Sequence, residues 1–562
     1  MKHCFLHLLP YLFTAVLFCP YPSYSQQLEN IKNEKPVTFH GNIGANIIGY
    51  NVKGIEKRMD PFSLVFAGNA TLSLYGINMP FSFRLSDKKA DYTQPFNQFG
   101  LSPSYKWITI HGGYRNLKFS DFTLAGHTFL GAGIELNPGK FRFGAIYGRF
   151  KKNNGQFENE RDTIKNFNRK GYAIKVGVGS RKNFVDLILL NIKDDSLSLS
   201  DFNGTSSANP EQNAVFGINS FFTISKTLTF ETEIAASLFT TNASIPGIIS
   251  SEDGAMLRRV NKFIIINESS EFTTAARSSL NYKSKKFGLK AEYRRIDPKY
   301  KSMGAYYFND DIENFTLAPS VPLFHKKLYI RGSIGLQRDN LRNSKLATTV
   351  RTISSTNLSF NPVPIFGIDI NYSNYSNNQK AGRMPVIDTL KLFQTTSNLS
   401  ISPRLMFTNT RMNHMVLLLF NRSGLHDKNA RTAEYSESTA TIINLNYSIN
   451  FNEKMLGLIA GFNHTLLENI VGQNKVTGFT AGGSKSWMEG AINIGLNSSV
   501  MRSDYASEKG WIYVNSLNGS YQANKHHNIR LGIYFTQQIY PDGSINKNFN
   551  EIKGDLSYAY TF

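Results

Sequence analysis

Large apolar side chains recur at every second position through most of this chain, and the pattern is sharpest at its end. In Gly554-Asp-Leu-Ser-Tyr-Ala-Tyr-Thr-Phe562, the residues Leu556, Tyr558, Tyr560 and Phe562 fall on one side of an extended chain. Asp555, Ser557, Ala559 and Thr561 fall on the other, so the segment is a strand with one apolar face. The same alternation sets Tyr172, Ile174, Val176 and Val178 against Ala173, Lys175 and Gly177, and Leu289, Ala291 and Tyr293 against Lys290, Glu292 and Arg294. It continues in Leu328 to Leu336 with Arg331 on the polar side, in Phe366 to Tyr372 with Asp369, and in Ile529 to Phe535 with Arg530. Most of these segments have room for the roughly ten residues with which a tilted strand crosses a bilayer.

The connections carry a second signal, because short and long ones alternate. Short candidates are Asn137 to Lys140, Ser180 to Asn183, Lys283 to Lys286, Phe324 to Lys327, Asn361 to Val363, Phe451 to Lys454 and Ala523 to His526, with weaker turn signals at Ser225-Lys226 and Ser402 to Arg404. Long ones are Lys151 to Lys170, Ile192 to Gln212, Thr240 to Glu271, Asp297 to Asp311, Ser376 to Thr389, Asn421 to Tyr435 and Gln537 to Gly554. This parity predicts an all-β fold: a single large antiparallel transmembrane β-barrel of about 24 strands, in a range of roughly 20 to 26, with short periplasmic turns and long extracellular loops. An even count places both termini in the periplasm. One stretch resists the count: Leu72 and Leu74 lie in one phase, and Met79, Phe81, Phe83 and Leu85 in the other. A bulge near Ile77-Asn78 in one long strand would keep the parity. Asp87 to Pro103 then becomes a long periplasmic connection that could fold into the lumen.

Met1 to Ser25 reads as a secretory signal, with Lys2 at its start, an apolar run from Leu6 to Phe18, and a small-x-small site at Ser23-Tyr24-Ser25 before Gln26. Phe18 stands where a lipobox ahead of Cys19 needs a small residue, which argues against lipidation. Both cysteines, Cys4 and Cys19, belong to the leader, so the mature chain has no disulfide framework. Residues 26–36 form a short periplasmic tail, and 37–562 the barrel. No mature segment approaches the roughly 18 consecutive apolar residues of a membrane helix.

Lys2 is the only charged residue of the leader, so its removal lowers the formal charge from +21 to +20. The basic residues are scattered and build no nucleic-acid motif. A lumen of this strand number is wider than that of a porin with roughly 16 to 18 strands, and it is either filled or leaks. Candidate lumen-lining residues are Arg84, Lys175, Lys290, Glu292, Arg294, Arg331, Asp369 and Arg530. Their basic excess would favour anions through field focusing. Arg258, Arg259 and Lys262, in the longest loop, are candidate constriction residues.

The catalytic census is thin. Gly131-Ala-Gly133 and Gly177-Val-Gly179 lack the context of a dinucleotide fingerprint, and Ser484 separates Gly483 from Lys485 where a phosphate loop needs them adjacent. Neighbouring imidazoles at His526-His527 point to opposite faces of a strand and do not converge on a metal. No cofactor is expected. His111, His127, His414 and His464 keep a hydrolase reading open only through a constellation that three dimensions would have to assemble.

The terminal strand resembles the closing strand of Gram-negative outer-membrane barrels, which implies that Leu556, Tyr558, Tyr560 and Phe562 are read by the barrel-assembly machinery. The segments Gln94 to Trp107, Gly113-Tyr-Arg-Asn116 and Leu124 to Phe129 resemble a stretch of uncharacterised Gram-negative outer-membrane barrel proteins. The resemblance implies location and fold, and transfers no ligand or catalytic residues. The expected role is an integral outer-membrane pore or channel-like scaffold, contacting lipid and lipopolysaccharide and serving an anionic solute or a surface or export protein. The alternatives are a surface anchor or adhesin acting through its loops, and an outer-membrane hydrolase.

Overall fold

The structure, a computed structural model, describes residues 36–562 apart from 75–76, 87–97, 153–166, 200–208, 249–260, 262, 307, 384–390, 506–507 and 545. The leader and nearly all of the expected tail lie outside the described residues. In chain order the first strands are β1 (Val37–Lys53), β2 (Phe62–Leu74), β3 (Ile77–Ser86), β4 (Gln98–Leu101), β5 (Ser104–Tyr105), β6 (Ile108–Lys118), β7 (Ala125–Leu136), β8 (Phe141–Lys151) and β9 (Asn168–Ser180). There follow β10 (Asn183–Asp195), β11 (Gln212–Thr223), β12 (Leu228–Thr240), β13 (Ser270–Lys283), β14 (Gly288–Ile296), β15 (Ile312–Leu323), β16 (Leu328–Arg338), β17 (Ala347–Val363) and β18 (Phe366–Ala381). The last are β19 (Phe393–Thr408), β20 (Met412–Asp427), β21 (Ser438–Phe451), β22 (Leu456–Asn469), β23 (Gly472–Trp487), β24 (Ile492–Tyr505), β25 (Glu508–Gln522), β26 (His527–Ile539) and β27 (Phe549–Thr561).

Apart from β4 and β5, which do not pair with each other, each strand pairs antiparallel with its sequence neighbours, and β27 pairs with β1, so the sheet closes into a barrel. The pieces β4 and β5 both lie between β3 and β6 and share one position, which makes a barrel of 26 strands. Closure satisfies every ladder group internally, which an open edge cannot do against hydrocarbon.

Two expectations are corrected here, and they compensate. The phase slip is a hairpin and not a bulge: β2 and β3 are separate strands, with Leu74 paired to Ile77. Two intervening residues make paired residue numbers sum to an odd value, so the outward set changes from even to odd across the turn. Asp87 to Pro103 is not merely a connection either, because it contains β4. Each correction adds one strand, so the count rises while the parity survives. Turns at the end carrying both termini are two to four residues long throughout, and the longer connections gather at the opposite end. Two-residue links at 470–471 and 506–507 are exceptions at that opposite end.

Facing is fixed by burial and register together. On β10, Ile188, Leu190 and Ile192 are almost inaccessible while Leu187 is exposed. Cross-strand partners share a face, and following the pairings from β10 around the barrel returns to β10 without conflict. The outward set is rich in exposed Phe, Tyr, Trp, Leu and Ile, including Phe66, Tyr147, Phe216, Phe272, Leu336, Phe479 and Trp511. On the closing strand it comprises Leu556, Tyr558 and Tyr560, opposite Ile47, Ala45 and Ile43. Phe562 stacks on Phe39 at 4.3 Å, and its backbone exchanges hydrogen bonds with Gly41.

Candidate lumen site

The compact core of this protein lies inside the barrel, where loop segments pack against the lumenal face of one arc. The connection 119–124, between β6 and β7, turns inward, and Phe122, Thr123 and Leu124 are at most 1% exposed. Its neighbours in the core are Ile146, Ile188, Leu190, Val215 and Ala235 from the barrel wall, with Tyr300 and Met303 from the connection 297–311. Apolar residues on both faces of β10 therefore have a cause: one face meets the exterior and the other meets the inserted segments.

Small residues on the wall make room for the insertion. A β-carbon on Gly217 would lie 2.5 Å from Thr123 Cγ2, and one on Gly144 would lie 3.0 Å from Phe119 Cζ. Polar anchors fix the depth. The backbone N–H of Phe122 donates to Glu233 Oε1 at 2.6 Å, and Tyr300 Oη donates to the Phe122 carbonyl at 2.7 Å. Ser302 Oγ donates to the Thr123 carbonyl at 2.6 Å, and the Met303 N–H donates to Asn213 Oδ1 at 2.9 Å. Loop backbone, which would be orphaned in an apolar interior, is satisfied by the wall side chains of Glu233 and Asn213 and by Tyr300 and Ser302 of the second inserted connection. Burial raises the pKa of Tyr300, with Glu233 adding to the effect, so its phenol stays a donor.

Charges interlock around the insertion. Asp121 pairs with Lys118 and, at 2.8 Å, with Arg277, which also reaches Glu231 at 2.9 Å and Glu233 at 3.7 Å. Burial acts to raise the Asp121 pKa, but the two cations outweigh it and hold the carboxyl below its ordinary value. Arg142 forks onto Asp186 at 2.7 and 2.8 Å. This bidentate geometry fixes direction as well as distance.

The residues singled out from the sequence separate into several environments. Lys175 is buried, 3.3 Å from Glu135 and over the Phe119 ring at 4.7 Å. Lys290 pairs with Glu292 at 2.7 Å. Arg294 stands 5.8 Å from the Phe122 ring, and its Nε is buried without a hydrogen-bond partner. Asp369 pairs with Arg404 at 2.6 Å, Arg331 lies over Tyr329, and Arg84 is exposed on the lumenal side. Arg530 lines a pocket of about 320 Å³ near the closing seam, with Lys525, His526, Ser557 and Thr561 among its walls. Arg258, Arg259 and Lys262 lie outside the described residues. Described parts of their loop meet the outward face of the wall, in the phase opposite to the lumenal Leu190 and Phe239, and so give no support to a lumenal constriction: Asn191 Nδ2 donates to the Phe263 carbonyl at 2.6 Å, and Thr240 Oγ1 to the Ile265 carbonyl at 2.9 Å.

Residue-by-residue reading missed the lumenal acids Glu135, Asp186, Glu231 and Glu233, which offset the basic sample in this arc. It also missed the inserted segment, although the run Phe119-Ser-Asp-Phe-Thr-Leu124, too apolar for a solvated loop, was its visible trace. Among the described residues no group of three or more His, Cys, Asp or Glu is arranged to hold a metal.

The fold and this interior define a closed β-barrel with inward-folded loops. No protein-family model matches the chain, and no curated protein matches its sequence. Solved structures with a similar fold include the P pilus usher (PapC) translocation pore, at 10% identity and TM-score 0.38, covering 93% of this chain and 99% of that one. The copper transporter OprC is similar at 8% identity and TM-score 0.38, covering 94% of this chain and 81% of that one. Acinetobacter baumannii OccAB2 is similar at 9% identity and TM-score 0.32, covering 63% of this chain and 92% of that one. At these identities and TM-scores the likenesses transfer no function.

Proposed function

We propose that this protein is an integral outer-membrane barrel acting as a pore whose lumen is narrowed by its own loops. The observation that supports the reading most is the asymmetry of the interior. A closed wall with an apolar exterior belongs in lipid, because only a barrel or a helix satisfies its backbone there. A barrel of 26 strands encloses more space than side chains alone fill. The described insertion covers the arc from β7 to β15, and the wall opposite is lined by side chains that stay accessible, such as Ile459 at 43% exposure. Transport along that opposite wall, with the packed arc as a fixed constriction, is the function the geometry supports best. Outer-membrane fractionation with heat-modifiable gel migration, followed by conductance in a planar bilayer, tests it. Discrete channel currents are expected, and a folded barrel that never conducts would overturn the reading.

A further inference from the structure

The lumenal wall opposite the insertion is chemically unlike the rest of the interior. Facing assigned by register places no charged residue on the lumenal side of β21 to β25 except Glu508, at the rim away from the termini. The charges these strands do carry, among them Lys475, Lys485 and Arg502, fall on the outward face. In their place the wall repeats one cross-strand pair, an asparagine opposite a glycine. Asn446 faces Gly461, Asn450 faces Gly457, and Asn497 faces Gly482. In all three pairs the amide lies across the glycine: a β-carbon there would meet the amide oxygen at 2.7, 2.6 and 2.0 Å respectively. The carboxamides are thus laid flat on the wall, where a larger partner would force them up into the lumen. Asn463 adds to the array by donating to Thr480 Oγ1 at 2.9 Å.

We propose that this wall is a binding track for neutral polyhydroxylated chains, the chemistry of an uncharged oligosaccharide. A primary amide offers two donors and an acceptor at fixed spacing, which suits neighbouring hydroxyls that each donate and accept. Interleaved apolar side chains, Ile459 and Met501, give the C–H faces of sugar rings something to rest on. An anion would find no cation along these strands, and a cation only Glu508. A neutral solute forgoes no strong hydration by entering, whereas an ion would exchange water for neutral amides. The Asn463 amide, already held by Thr480, also lowers the ordering cost of its contact.

This inference rests on the pore reading, and two measurements on the full chain in detergent or bilayers separate them. Isothermal titration with a linear neutral gluco-oligosaccharide is expected to show saturable binding, and the same glycan added to a planar bilayer is expected to interrupt the current reversibly. An oligogalacturonate of equal length should bind more weakly. The combined variant Asn446→Ala, Asn463→Ala, Asn497→Ala should weaken glycan binding by about tenfold or more. Gly461→Val with Gly482→Val keeps the amides, displaces two of them, and should weaken binding in the same direction while heat-modifiable migration confirms a folded barrel. Equal or tighter binding of the anionic chain, or unchanged binding in both variants, would overturn the proposal. Current block by an unfolded Gly/Ser-rich polypeptide but not by the glycan would overturn it too, and would assign the wall to protein export. Binding without conductance defeats the pore and leaves the track standing, whereas conductance without binding does the reverse.

Discussion

Glu233 on β12 accepts a hydrogen bond from the backbone N–H of Phe122 at 2.6 Å, although the two residues are 111 positions apart in sequence. One wall carboxylate thereby holds the tip of an inserted loop, and Arg277 beside it ties the same loop through Asp121. Loosening the insertion should change the pore before it changes the barrel, because the ladder of the wall is independent of it.

The first expectation concerns the apolar anchor. Phe122→Ala removes a side chain that is 1% exposed, at a cost of about 3–5 kcal/mol to the packed arc. Single-channel conductance should rise and become noisier, while heat-modifiable migration stays that of a closed barrel. Unchanged conductance would mean that the insertion does not narrow the path.

The second concerns fit. Gly217→Val places a branched side chain where even a β-carbon would be 2.5 Å from Thr123 Cγ2, so the loop must move away from β11. Valine itself favours a strand, so the barrel should assemble normally. Faster cleavage of the 119–124 connection by an added protease would report the displacement.

The third concerns acid. The pKa of Asp121 is lowered in the folded protein, so its ion pairs stabilise the insertion fully above the ordinary carboxylate pKa, near 3.8. That contribution is lost as pH falls through the lower, folded value. Conductance measured at decreasing pH should therefore show an acid-side increase, and Asp121→Asn should show the increased state already at neutral pH. An identical acid response in parent and variant would remove Asp121 from the latch.

The fourth concerns closure. Phe562 stacks on Phe39 at 4.3 Å and trades backbone hydrogen bonds with Gly41, so Phe562→Ala strips the aromatic contact at the seam and leaves the ladder. The yield of heat-modifiable barrel in outer-membrane fractions should fall, with a smaller fall for Phe39→Ala. Equal yields for all three proteins would argue against a role for the ring contact in assembly.

Much of the architecture was legible because its cause is local. Alternation in Tyr172 to Val178 or Leu556 to Phe562 follows from strand geometry alone, and so does the facing of each residue. Connection length told turn from loop for the same reason. The bounds were less accurate on β18 to β20, which run further than expected: β18 to Ala381, β19 to Thr408 and β20 to Asp427. There Asn, Ser and Thr continue the ladder without an apolar face to mark it. The hairpin between β2 and β3 was misread because a phase change is the common signature of a bulge and of a two-residue turn, and only partner pairing separates the two.

What the sequence determined by itself, then, is the wall: strands, their two faces, the parity of connections and the seam at Phe562. The interior was decided by tertiary structure alone. Phe122 meets Glu233, Thr123 meets Gly217, and Asn497 lies over Gly482 only after the sheet has closed. Those contacts join residues whose neighbours in sequence carry no mark of the partnership. A strand's alternation depends on the two directions its own side chains can take, whereas the filling of a lumen depends on which distant surfaces a closed ring brings face to face.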